Sequence, residues 1–184
     1  MEKLAYLIKN RFPALFRLIA WLADHATVWR YGRRAERTLQ LATVQGTIKG
    51  QDAVMRPLSS ADAHRLYAFL NALPEDHLQY FQPHGFDRSA LTAVLKSRAY
   101  MNYGLFVKDE LIGYALLKIS PTGSAFIGRL VQPKFMGLGL GTFIARFLYW
   151  QASMAGLRAR STISRHNTAS LRSHEAVAEY RVVA

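Results

Sequence analysis

Three glycines at alternate positions, Gly137, Gly139 and Gly141, lie inside a run from Leu130 to Phe143 that reads as strand, loop and helix in quick succession. That order builds an anion site. Glycine removes side chains where a polyphosphate would meet the main chain, and the following helix supplies unpaired N–H groups and the positive end of its dipole. A pyrophosphate is the expected guest. Two familiar phosphate loops do not fit. The dinucleotide fingerprint spaces its glycines G-x-G-x-x-G and needs an acidic residue about 20 positions on, whereas the spacing here is G-x-G-x-G and the next acid is Glu175. The nucleoside triphosphate loop ends in Gly-Lys-Ser/Thr, but Gly141 is followed directly by Thr142. Taken alone, such a glycine run also suits a turn with a closely packed helix.

Other reactive side chains narrow the chemistry. The chain has no cysteine, which excludes disulfides, thiolate metal sites and a cysteine nucleophile. His25, His64, His77, His84, His166 and His174 show no metal-ligand spacing with carboxylates, so no bound metal is expected.

The run around the glycines resembles the acyl-CoA motif of the GNAT superfamily of N-acyltransferases. In that motif a strand ending in Val-x-Pro leads to Q/R-G-x-G-x-G/A and a long helix. Val131, Pro133, Gly137, Gly139 and Gly141 stand where the pattern puts them, and Met136 stands where the family usually has Gln or Arg. After a strand expected from Arg158 to Ser164, residues Asn167, Ser170, Leu171, His174, Glu175 and Val177 track the second cofactor motif, N-x-x-S-x-x-x-Y-E-x-x-G-F. His174 takes the tyrosine position, and Ala178, Glu179 and Tyr180 replace Gly-Phe.

The resemblance implies an α/β (α+β) fold, a mixed and mostly antiparallel central sheet flanked by helices. It implies acetyl-CoA as cosubstrate, held by Leu130, Val131, Met136, Gly137, Leu138, Gly139, Gly141, Thr142 and Asn167. It also implies an N-acetyltransferase: a primary amine attacks the thioester directly, through a tetrahedral intermediate, with the carbonyl polarised by a backbone N–H near Leu130. His174 would return a proton to the departing thiolate. Many members place a glutamate on the fourth strand as base, but that strand offers Ser124, Phe126, Ile127 and Arg129. His84, in a loop expected to flank the acceptor groove, is the first candidate, because imidazole titrates near working pH; Tyr103 and Glu75 are weaker ones. A histidine that only stiffens a Pro and Gly turn is the competing reading of His84.

The elements that must position these residues are legible upstream. Ala53 to Leu58 reads as a strand running into a helix capped by Ser59 or Ser60. Asn71 to Pro74 closes that helix, Pro74, Glu75 and Asp76 open another, and Asp87 to Leu95 carries a third. Met101 to Val107 and Leu111 to Ile119 form a hairpin with a charged tip, and Ser124 to Gln132 is the next strand. The division is residues 1–50, an N-terminal amphipathic helix and extra strand, and residues 51–184, the GNAT-like domain.

Before position 50, Leu4, Leu7, Ile8, Phe12, Leu15, Phe16, Ile19, Leu22 and Ala23 recur at helical spacing, with Pro13 expected to kink or split the helix. Its longest uncharged run, Leu18 to Ala23, is too short to span a bilayer, and Arg17 interrupts any signal-peptide core. The stripe packs on its own domain or a twin subunit, or lies on a membrane surface through residues 2–24. Glu36 to Lys49 reads as the additional strand, turning at Lys49 to Asp52. At the other end Tyr180 to Ala184 leaves room for at most one short strand, so either the sequence is cut short or the extra N-terminal strand or a second copy completes the sheet.

The 184 residues carry a formal charge of +12. Between Leu111 and His174 there is no acidic residue, while Lys118, Arg129, Lys134, Arg146, Arg158, Arg160, Arg165 and Arg172 all fall there. A basic field suits an anionic cofactor. The partners expected are a small-molecule amine, a second copy and an anionic membrane, with no specific nucleic acid and a cytoplasmic setting. The competing class is a non-catalytic basic module for nucleic acid or a membrane surface, which steep salt dependence would reveal.

Overall fold

The computed structural model describes residues 13–179. Helix α1 (Pro13–Gln40) opens with proline at its first turn, where the missing N–H costs nothing. Its kinking or splitting at Pro13 involves residues 2–12 and lies outside the described residues. The helix buries Thr27, Tyr31, Ala35 and Thr38, one face at helical spacing. That burial carries the helix through Glu36–Gln40, where a strand was expected; Glu36, Arg37, Leu39 and Gln40 there are good helix formers. The additional strand is confined to β1 (Val44–Ile48).

Strand β1 turns into β2 (Gln51–Pro57) through Lys49 and Gly50, both at positive φ, the geometry of a two-residue hairpin turn. A single 3-10 turn (Ser60–Asp62) leads to α2 (Ala63–Asn71). There Asp62 accepts from the Ser59 N–H and from both Nη atoms of Arg56. Short α3 (Glu75–Leu78) follows Pro74, and α4 (Arg88–Lys96) is capped by Asp87, which accepts from the Ser89 and Ala90 N–H groups. Strands β3 (Tyr100–Val107) and β4 (Glu110–Ile119) form the expected hairpin. Then come β5 (Ser124–Val131), a 3-10 turn (Pro133–Phe135), α5 (Leu140–Met154), β6 (Arg158–Arg160) and α6 (Thr168–Glu175).

The six strands lie in sequence order, all antiparallel except the parallel pair β5–β6. Pleating splits the core in two. From β4, Ala115, Leu117 and Ile119 pack with Tyr31 and Ala35 of α1 and with Ile144 and Leu148 of α5. Tyr114 and Leu116 pack on the other side with Leu66, Phe69 and Leu70 of α2 and Leu91 of α4. Strand β6 pairs with β5 only at Ser124, Ala125 and Phe126, and beyond these the two diverge. Residues 161–164, expected as strand, therefore have no ladder to join and instead line an opening.

Candidate active site

The divergence of β5 from the chain after β6 creates a cleft of about 630 Å³. One wall is Ile127 to Val131, the other Ser161 to Ser164, and its floor is the start of α5 with Asn167, Ser170, Ser173 and His174 of the α6 region. Of the residues expected to hold the cofactor, Leu130, Val131, Met136, Gly137, Gly139, Gly141, Thr142 and Asn167 all line it. Leu138 is exposed beside the loop and outside the lining.

The edge of β5 has a definite polarity. The Gln132 N–H donates to Ile112 O at 2.8 Å, so Gln132 and, by strand alternation, Leu130 turn their amides toward β4. Val131 and Arg129 then point theirs into the cleft, and the Val131 carbonyl does project that way, where it accepts from His77 Nε2 at 2.8 Å. The amides near Leu130 that face the cleft are those of its neighbours, while the Leu130 side chain is buried in the α2–α4 core.

Gly137 and Gly139 sit at φ 78° and 75°, and a Cβ at either would meet nothing within 4 Å. Backbone conformation, not crowding, demands glycine there, and the open space is what a bulky anion needs. Gly139 is the left-handed N-cap of α5, with no side chain capping that end, so the first-turn amides remain available to a guest.

Arg129 is the cation of this cleft. One Nη donates to the Gly141 carbonyl, the other to the Ser170 carbonyl and to Ser173 Oγ at 2.6 Å, and Nε is buried without a partner. It makes no ion pair among the described residues, and burial lowers its pKa to about 10. The guanidinium ties β5 to both helices that floor the cleft.

His174 is 2% exposed. Its Nδ1 meets Tyr149 Oη at 3.0 Å and its Nε2 meets Ser161 Oγ at 3.4 Å. Burial first, and the Arg129 charge second, push its pKa down to about 4. Asn167 caps α6, accepting from the Ser170 N–H at 3.0 Å. His84 lies outside the cleft lining, donating from Nδ1 to the Gly85 carbonyl at 2.8 Å and meeting Tyr114 Oη at 3.0 Å; burial lowers its pKa. Tyr103 is buried, donating to Gln151 Oε1, and Glu75 is likewise outside the lining.

One cleft residue escaped sequence reasoning, and a second was read only as part of the basic stretch. His77 sits on a four-residue helix with no periodicity to betray its direction, and only the fold brings it to Val131, 54 positions away. A carbonyl only accepts, so His77 carries its proton on Nε2 and keeps Nδ1 as a proton acceptor while neutral. Arg129 was visible as a strand residue, but its lack of a carboxylate partner is a tertiary fact.

A model of the acetyltransferase (GNAT) domain matches residues 52–177. No curated protein matches the chain significantly. Among solved structures, the GNAT domain of S. lividans PAT is 16% identical with a TM-score of 0.65, covering 74% of this chain and 87% of its own. A ribosomal-protein-alanine N-acetyltransferase from Brucella melitensis biovar Abortus is 18% identical, TM-score 0.55, covering 72% and 94%. An aminoglycoside acetyltransferase in complex with coenzyme A and kanamycin is 20% identical, TM-score 0.54, covering 68% and 82%.

Proposed function

The chain belongs to the GNAT acetyltransferase family, and from that premise we propose that it moves an acetyl group from acetyl-CoA to a primary amine by direct attack. The observation that carries this reading is the cleft itself: a splayed strand edge with inward amides, running into a glycine loop and an uncapped helix start. The fit to a pyrophosphate is physical, because the positive-φ glycines leave room and the first-turn amides of α5 lack a capping side chain. Acetyl-CoA supplies the activated acyl thioester. Gly137 to Thr142 hold its anionic end, and an amide of Arg129 or Val131 faces the carbonyl, where an N–H stabilises the charge of the tetrahedral intermediate.

Proton handling follows from the histidines. With a pKa near 4, His174 is neutral at working pH and serves as the centre of a Ser161–His174–Tyr149 relay, passing a proton toward the thiolate through Ser161 Oγ at the cleft wall. His77, with Nδ1 free to accept, is our assignment for the base that takes the proton of the attacking ammonium; His84 is the alternative from outside the lining. Two of the solved structures named above are a ribosomal-protein-alanine N-acetyltransferase and an aminoglycoside acetyltransferase with kanamycin bound, so the acceptor is sought in both classes.

The experiment is thiol release from acetyl-CoA against a panel of aminoglycosides, amino sugars and alanine-terminated peptides, with mass spectrometry of the product. One acceptor gaining 42 Da on nitrogen, about the mass of an acetyl replacing a proton, supports the reading together with loss of rate in His77→Ala. Acetyl-CoA binding without transfer to any amine would sink it.

A further inference from the structure

The outward face of α1 is divided along its length. Leu15, Leu18, Ile19, Leu22, Ala26 and Trp29 fall on one face, each three or four residues from another of the set, and are exposed. The same face continues as Arg30, Arg33 and Arg37, also exposed. It lies opposite the buried row Thr27, Tyr31, Ala35 and Thr38. Of the described side chains from 14 to 26, Ala23 alone is part-buried and the others are exposed, so among the described residues nothing covers the first turns. Trp29 stands 88% exposed at the junction of the apolar and basic halves.

We propose that α1 docks the protein on an anionic phospholipid bilayer surface, its apolar half in the acyl boundary and its arginines on the head groups. Three observations choose this occupant. An isolated helix of a few turns is marginal in water, and exposed Leu, Ile and Trp on it call for an apolar cover. The cover must also be anionic, because the apolar row runs into arginines on the same face and the whole chain carries +12. Tryptophan at an apolar–polar boundary is where an interfacial helix places its indole.

A second copy meets this face poorly. A parallel pair would oppose arginine to arginine, and an antiparallel pair in full overlap would bury each apolar half against the partner's arginines. Nucleic acid offers the apolar half nothing to displace water with. No helix among the described residues is long and apolar enough to cross a membrane, so the mode is interfacial. The α1 helix packs by Tyr31 against Gly123, and Arg34 approaches Gly156, at the C-terminal end of α5, whereas the cleft opens at its N-terminal end. Docking therefore leaves the cleft free.

The test is flotation of the full chain with vesicles of phosphatidylcholine alone and of phosphatidylcholine with phosphatidylglycerol, at low and physiological salt. The expected result is partitioning onto the anionic vesicles that weakens with salt. It drops by about ten-fold or more in Leu18→Glu/Leu22→Glu and in Arg33→Glu/Arg37→Glu, with acetyl-CoA affinity unchanged in both. Acetyl-CoA binding and circular dichroism certify that each variant is folded. The proposal is overturned if the parent chain stays off anionic vesicles, or if the Leu→Glu pair floats equally well. It is also overturned if sedimentation shows a dimer that the Leu→Glu pair dissolves while vesicles capture neither form, or if duplex DNA binds the Leu→Glu pair as tightly as the parent.

Discussion

Buried between Tyr149 and Ser161, His174 must stay neutral to stay folded, and this gives the protein a pH signature. Its folded pKa of about 4 lies below the ordinary 6.5, so the unfolded chain binds the extra proton first as pH falls. Stability contributed by His174 is complete above pH 6.5 and is lost on descending toward pH 4, by up to about 3 kcal/mol. Denaturant midpoints measured from pH 7 to 4 should fall accordingly, and His174→Phe should flatten that slope while reducing turnover far more than acetyl-CoA affinity. A slope unchanged in His174→Phe contradicts the assignment of the buried imidazole. His84, lowered chiefly by its own burial, adds to that slope. Asp62 acts lower on the scale: Arg56 holds its pKa at about 2, so its contribution disappears only between about pH 4 and 2.

Among the elements, the β5–loop–α5 unit is held by conformation at Gly139 and by a cation at Arg129. Gly139→Asn keeps a residue that tolerates the left-handed region and should bind acetyl-CoA within a few-fold of the parent. Gly139→Glu adds strain of about 1 kcal/mol and a negative charge where phosphate belongs, and should abolish binding in a calorimeter. Equal loss in both variants would mean that shape alone, and not anion recognition, is being read. Arg129→Met should release α6: amide exchange over residues 168–175 should quicken by about ten-fold or more, because the Ser170 and Ser173 acceptors lose their donor. Unchanged exchange would show that α6 is held by other contacts. This unit was also the most legible part of the sequence, since Val131, Pro133 and the three glycines specify local backbone geometry that needs no distant partner. The hairpin β3–β4 was legible for the same reason. What the sequence hid depended on partners: Glu36 to Gln40 stayed helical because α1 packs by Ala35 and Thr38, and residues 161–164 left the sheet because β5 turns away. His77 entered the cleft only because α3 is folded against the end of β5.

Over the whole molecule, charge and fold divide the work. The stretch from Leu111 to His174 carries no acidic residue and supplies β4, β5, α5 and α6, with Arg129 lining the cleft; an excess of positive charge on these elements favours the arrival of an anionic cosubstrate. On the proposed reading, retention would depend instead on directed amides of the glycine loop, which salt screens far less than exposed charges. A module whose basic surface served only for nucleic acid would lose affinity steeply with salt. The decisive measurement is a calorimetric titration of acetyl-CoA into the full chain at low and high salt, with Gly139→Glu alongside. We predict one site per chain, affinity that changes by no more than about ten-fold between the two salts, and no heat from Gly139→Glu. No binding by the parent chain, or binding that vanishes with salt and persists in Gly139→Glu, would contradict the cofactor cleft.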